Sequence, residues 1–102
     1  MSFESIKNVP KLESGTPKGP SIVFAYLKNC GYSVKAAPKF AAYAQQSPID
    51  VYTIDVEKYP LNINAVPVII AVDSSGNVEV QNPDLSLEQQ LKKGEQFAMK
   101  NK

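Results

Sequence analysis

Residues 22–27 form an unbroken run of apolar side chains, rich in β-branched and aromatic types. That pattern predicts a strand buried on both faces. The period then changes. Val34, Ala37, Phe40, Ala41 and Ala44 recur at helical spacing, so a helix is expected over residues 30–46, with Lys35, Lys39 and Gln45 on its polar face. Pro38 lies inside it, removes one backbone donor and predicts a kink. Residues 49–54 carry a second strand pattern and residues 66–72 a third. Asp73-Ser74-Ser75-Gly76-Asn77 predicts a hairpin loop, with residues 78–80 as the returning strand. Ser86, with Gln89 three positions on, opens a final helix whose apolar stripe is Leu87, Leu91 and Ala98, with Phe97 beside it. Gly94 weakens the middle of that helix by about 1 kcal/mol.

The remaining segments are shorter. Residues 3–6 are expected to form a short strand. Asn8 reads as an N-cap, with Pro10 in the first turn of a short helix through Leu12. Residues 14–20 are a dense loop signal, and residues 57–64, which include Pro60, form a short helix or a turn. The order begins with a parallel-type crossover and ends in a hairpin. An α/β fold follows, with a mixed central sheet and helices on both faces.

Composition narrows the chemistry. The chain has 102 residues, enough for one domain spanning 1–102. Its net charge is +1, which leaves no electrostatic footprint for nucleic acid or an anionic membrane. Every cationic side chain is lysine, so no bidentate fork is available for phosphate or guanine. Histidine is absent, and Cys30 is the only cysteine. Ser-His-Asp and Cys-His hydrolases, intrachain disulfides and a structural zinc site are therefore excluded. The longest apolar run, residues 65–72, is far too short to span a bilayer, and the first residues carry no signal-peptide core. A cytoplasmic, reducing location is the expectation, since small secreted domains usually pair their cysteines.

Cys30 falls where the first buried strand ends and the helix begins. A helix N-terminus offers unpaired N–H groups and positive dipole to an anion, and the thiolate is the reactive form of cysteine. Lowering a thiol pKa by about two units needs about 2.7 kcal/mol. The dipole supplies only about 0.3–1 kcal/mol at an exposed site. Hydrogen bonds to sulfur must supply the rest. Ser33, one turn on, can offer both a hydroxyl and an N–H, and Lys28 and Lys35 can add screened Coulomb attraction. The alternative for a lone cysteine is a small buried hydrophobe.

These residues resemble the thioredoxin superfamily. Cys30-Gly31-Tyr32-Ser33, with Pro38 further along the same helix, resembles its Cys-Gly-x-Cys active site. Tyr26 falls where thioredoxins carry an aromatic residue before the motif. Val66-Pro67 ahead of an apolar strand resembles the cis-proline segment, and Ser75-Gly76-Asn77-Val78 resembles the hairpin after it. The resemblance covers roughly residues 20–100. It implies a thioredoxin-like fold and thiol–disulfide oxidoreductase activity. Cys30 would attack a disulfide-containing protein or a glutathione mixed disulfide. Pro67 would be cis beside the sulfur, and Gly31, Tyr32 and the Val66 backbone would meet substrate. Independently, a proline in an otherwise central-looking strand is abnormal, and a cis bond at a loop-to-strand junction would resolve it.

The chain also departs from that pattern. Ser33 stands in place of the resolving cysteine, as a natural monothiol feature or as a Cys→Ser replacement, so a mixed disulfide cannot be released internally. Phe24 occupies the place of a buried acid. Asn29 replaces a tryptophan, and Gln81-Asn82-Pro83 replaces a groove glycine. No bound cofactor is expected, although glutathione is a possible co-substrate, and the protein is expected to be a monomer. Two other readings compete. One is a redox-inactive interaction module binding a peptide through Tyr32, Val66 and Tyr59. The other is a monothiol glutaredoxin-like iron–sulfur carrier, which lacks the rest of that signature and would need glutathione and a second protomer. Tyr43, Tyr52 and Tyr59 are otherwise expected to pack. Asp50, Asp55, Glu57 and Asp73 show no calcium-loop spacing, and Lys92-Lys93 is a solvated helix face.

Overall fold

The structure, a computed structural model, describes residues 3–13 and 16–100. Strand β1 (Ser21–Tyr26) is buried along its whole length, as its unbroken apolar run requires. It feeds helix α1 (Gly31–Gln46), which returns the chain to strand β2 (Asp50–Asp55). Strands β3 (Val68–Val72) and β4 (Val78–Val80) form the hairpin, and helix α2 (Leu87–Met99) closes the chain. The sheet has four strands in the order β2-β1-β3-β4. β1 pairs parallel with β2 and antiparallel with β3, and β3 pairs antiparallel with β4. This is the expected mixed sheet.

Alternation along β1 divides the interior. Ile22, Phe24 and Tyr26 pack with Ala37 and Phe40 of α1, Ile69 and Ala71 of β3, and Leu91 and Ala98 of α2. Val23 and Ala25 point the other way, into a cluster with Ile54, Val68 and Ile70. Both faces of the sheet are covered, but by different means. The two helices share the first cluster. The second is closed by Leu12 and by Val56, Tyr59 and Ile63 from residues 56–63. That stretch forms turns rather than a helix, since Pro60 interrupts it and polar asparagines replace the periodic apolar positions. On the helical face, Phe40 and Phe24 stack with ring centroids 5.0 Å apart and both are fully buried. The Tyr43 hydroxyl of α1 donates to Glu95 of α2 at 2.6 Å. Burial, reinforced by that carboxylate, pushes the Tyr43 pKa well above the ordinary phenol value.

Local signals set the hairpin and the last helix. The Asp73 carboxylate accepts from the Ser75 and Asn77 N–H groups, an arrangement that holds the loop closed. Gly76 supplies the positive φ of 87° that the turn requires. Ser86 caps α2 by accepting from the Gln89 N–H at 3.2 Å. Helix α1 continues through Pro38, whose missing N–H leaves the Val34 carbonyl without its usual intrahelical partner.

The N-terminal expectations need correction. Residues Glu4–Ile6 form a 3₁₀ turn, not a strand, and bury Ile6 beneath α1. No helix follows Asn8. Residues 10–12 run extended, with Thr53 N–H donating to the Pro10 carbonyl at 2.9 Å and Leu12 N–H donating to the Thr53 carbonyl at 2.8 Å. Among the described residues, this single parallel bridge between Lys11 and Thr53 is all that extends the sheet beyond β2. Part of the loop expected at 14–20, residues 14 and 15, lies outside the described residues.

The paired rings give a direct test. Phe40→Ala should lower unfolding stability by about 3–5 kcal/mol in denaturant titration, through lost burial and the cavity left against Phe24. A loss under about 1 kcal/mol would show that α1 does not pack on β1 through these rings.

Candidate active site around Cys30

The end of β1 and the start of β3 lie side by side because the two strands are antiparallel, with Ala25 opposite Val68. The chain leaving β1 therefore meets the chain entering β3. Cys30 sits at the first of these ends and Val66-Pro67 at the second. The Val66–Pro67 peptide is cis, as is Gly19–Pro20. The Cys30 Sγ lies 3.8 Å from the Val66 carbonyl oxygen.

Cys30 is the N-cap of α1, with extended backbone (φ −96°, ψ 118°). Its own N–H donates to the Leu27 carbonyl at 3.2 Å, which folds residues 27–30 into a tight corner. Its side chain makes no capping bond. The half-buried sulfur instead feels the N–H groups at the start of the helix through their effect on its ionisation. The thiol pKa is lowered, chiefly by the Ser33 backbone N–H; burial opposes this, while the Ser33 hydroxyl and the Tyr32 N–H reinforce it. The contact with Val66 acts in the other sense, because only a protonated sulfur can donate to a carbonyl. A thiol is a weak donor and 3.8 Å is long for such a bond, so the N–H groups prevail. Hydrogen bonds thus dominate where the dipole alone is too small. Neither Lys28 nor Lys35 is among the causes of the shift. Lys28 is drawn instead to Asp55, at 3.8 Å.

Ser33 is fully buried. Its Oγ accepts from the Leu27 N–H at 3.2 Å, which leaves its hydrogen for the sulfur. One hydroxyl therefore ties the corner to the helix and stabilises the thiolate. Gly31 is exposed, and a Cβ there would meet nothing within 4 Å. Tyr32 is 76% exposed. It stands at the rim of a groove of about 480 Å³ bounded by Lys35 and Lys39 of α1, by residues 65–67, by residues 83–85 and by Leu87 and Gln90 of α2. The structure thus gathers Cys30, Gly31, Tyr32, Ser33, Val66 and Pro67 at one end of the sheet. Tyr59 is not in this groove. It packs against the cluster on the other face of the sheet and lines a separate small cavity, so the groove brings together Tyr32 and Val66 without Tyr59. Of the facing wall, Pro83 was expected at the groove, while Asp84, Leu85 and Gln90 escaped the sequence reading. A glutamine lying three positions after Leu87 on an apolar stripe was the available signal.

Among solved structures, thioredoxin O1 from Arabidopsis thaliana in its oxidized state is similar to this chain, with a TM-score of 0.67. The match covers 89% of this chain and 98% of that one. The chain has a thioredoxin-like fold. Sequence identity to that thioredoxin is 20%, so the likeness speaks for the fold alone. No family profile and no curated protein matches the chain. Within this thioredoxin-like fold the Cys30 sulfur, the proline segment and the groove adjoin one another, whatever chemistry they perform. Among the described residues, no cluster of cysteine, aspartate or glutamate could hold a metal ion, and no helix is long and apolar enough to cross a membrane.

The alkylation rate of Cys30 by iodoacetamide should rise with pH through a midpoint below the ordinary thiol value of about 8.5. Ser33→Ala should move that midpoint up, part of the way only, because the backbone N–H remains. It should also cost about 1–3 kcal/mol of stability by orphaning the Leu27 N–H. Since the folded state favours the thiolate, its contribution to stability is complete above the unfolded thiol pKa. It fades as pH falls through the lowered folded value. A midpoint at or above that of free cysteine would contradict the sulfur environment described here.

Proposed function

We propose that the protein is a thiol–disulfide oxidoreductase of thioredoxin or glutaredoxin type working through one cysteine. The observation that carries this reading is the half-buried Cys30 sulfur at the start of α1, its pKa lowered, beside Val66 and an open groove. The Cys30 thiolate attacks one sulfur of a disulfide in a protein or in a glutathione mixed disulfide. A Cys30–substrate disulfide forms, the substrate's own S–S bond breaks, and the second sulfur leaves as a thiolate. Cys30 is oxidised and the leaving sulfur reduced. Ser33 cannot complete a second exchange, because a hydroxyl forms no disulfide. Its role is to donate to the Cys30 sulfur and stabilise its ionised form. Release therefore requires an external thiol, with glutathione the natural co-substrate, and the reducing cytoplasm suits that cycle.

A second reading has its own support. The groove is lined mainly by apolar side chains and Ser33 replaces the second thiol, as a peptide-binding scaffold without redox turnover would have it. The two readings divide on Cys30. Incubated with oxidised glutathione, the protein should acquire one glutathionyl group on Cys30, detected by mass, and Cys30→Ser should acquire none. Ser33→Cys should convert the stable adduct into a transient one, because the introduced thiol attacks the Cys30 sulfur, closes an internal disulfide and expels glutathione. An unmodified wild-type chain under conditions that glutathionylate free cysteine would favour the scaffold.

A further inference from the structure

Gln90 is a polar side chain in an apolar place. It lies on the inner face of α2 and is 3% exposed. Both ends of its amide are used. Oε1 accepts from the Ile69 N–H at 2.9 Å, and Nε2 donates to the Leu85 carbonyl at 3.0 Å. These partners belong to different walls. Ile69 lies two residues beyond Pro67, at the start of β3. Leu85 belongs to the facing wall with Pro83 and Asp84. The β3–β4 ladder ends at Ile70 opposite Val80, with one further bond from the Gln81 N–H to the Ile69 carbonyl. In an antiparallel strand the N–H and C=O of one residue point to the same side. The Ile69 N–H thus emerges where β4 has already run out, and without Gln90 it would be a buried donor with no partner.

We propose that Gln90 is a positioning residue that sets the width of the groove, and through it the preference of Cys30 for peptide disulfides over small ones. The proposal rests on the exchange reading above. A leucine at this position would fill similar volume yet join neither wall, so two segments that substrate must fit between would move independently. The sulfur, held by Ser33 and Tyr32, would keep its reactivity while the peptide's binding surface loosened.

The test uses two probes. One is a cysteine peptide activated as its mixed disulfide with thionitrobenzoate, and the other is dithiobis(nitrobenzoate), which has no peptide. In both, Cys30 bonds to one sulfur and coloured thionitrobenzoate leaves as the thiolate. Gln90→Leu should reduce the ratio of the peptide rate constant to the small-disulfide rate constant by about tenfold, the scale expected for losing a buried hydrogen bond that organises a site. The change should appear as a higher half-saturating peptide concentration rather than a lower limiting rate. Hydrogen exchange should show the Ile69 amide opened in Gln90→Leu. In Gln90→Glu, whose carboxylate still accepts from Ile69 but no longer donates to Leu85, that amide should stay protected and the ratio should fall less. If Gln90→Leu unfolds, the Glu variant carries the same test. An unchanged ratio with an opened Ile69 amide overturns the proposal. So does an equal fall in both rate constants, which is the signature of a purely structural role. Wild-type protein inert to both probes would instead sink the exchange reading, and the inference with it.

Discussion

The antiparallel ladder between β1 and β3 governs everything that happens at the cysteine. Phe24 faces Ile69 and Ala25 faces Val68 across it, so the exit of one strand and the entry of the other are neighbours by construction. A slip of one residue would exchange the two faces of the sheet and move the loop carrying Val66 away from the corner carrying Cys30. Alternating burial prevents it. Ile22, Phe24 and Tyr26 belong to the helical side, and Val23 and Ala25 to the other. Core packing and site geometry are therefore one constraint, met by the same side chains.

Much of this was legible before any coordinates. The break from a continuous apolar run to helical spacing places Cys30 at a strand-to-helix corner, and that corner is where the structure has it. The hairpin was equally clear, since Asp73 and Gly76 act within a few residues of themselves. The first dozen residues were not legible, for a physical reason. Pro10 and Asn8 are ordinary helix-start residues, yet residues 10–12 run extended because their carbonyl and N–H groups find Thr53, far along the chain, rather than each other. Tertiary pairing outcompeted local propensity. The cover of the second face was hidden in the same way: Leu12 and Ile63 close it without any periodicity. Gln90 went unread: its place on an apolar stripe was the one local signal, and its partners lie in two other segments.

Gly94 shows how the two kinds of constraint interact. By sequence it is a weak point in α2. In the fold, a Cβ there would stand 3.2 Å from Ile22 Cδ1 and 3.3 Å from Ile69 Cγ2, closer than comfortable van der Waals contact. The residue that weakens the helix also lets it settle onto β1 and β3, near enough for Gln90, one turn earlier, to reach the Ile69 backbone. Local cost and long-range contact meet in one residue.

The empty space beside Gly31 has a different meaning. The sulfur's immediate company comes from backbone N–H groups and a buried hydroxyl, none of which depends on the side chain at position 31. That position adjoins the Cys30 residue, and a side chain added there would meet nothing within 4 Å, so packing makes no demand on it. Evolutionary drift there can alter charge and bulk at the threshold of the site while the scaffold stays indifferent. Descendants of this chain can diverge in what they admit without first renegotiating how they fold.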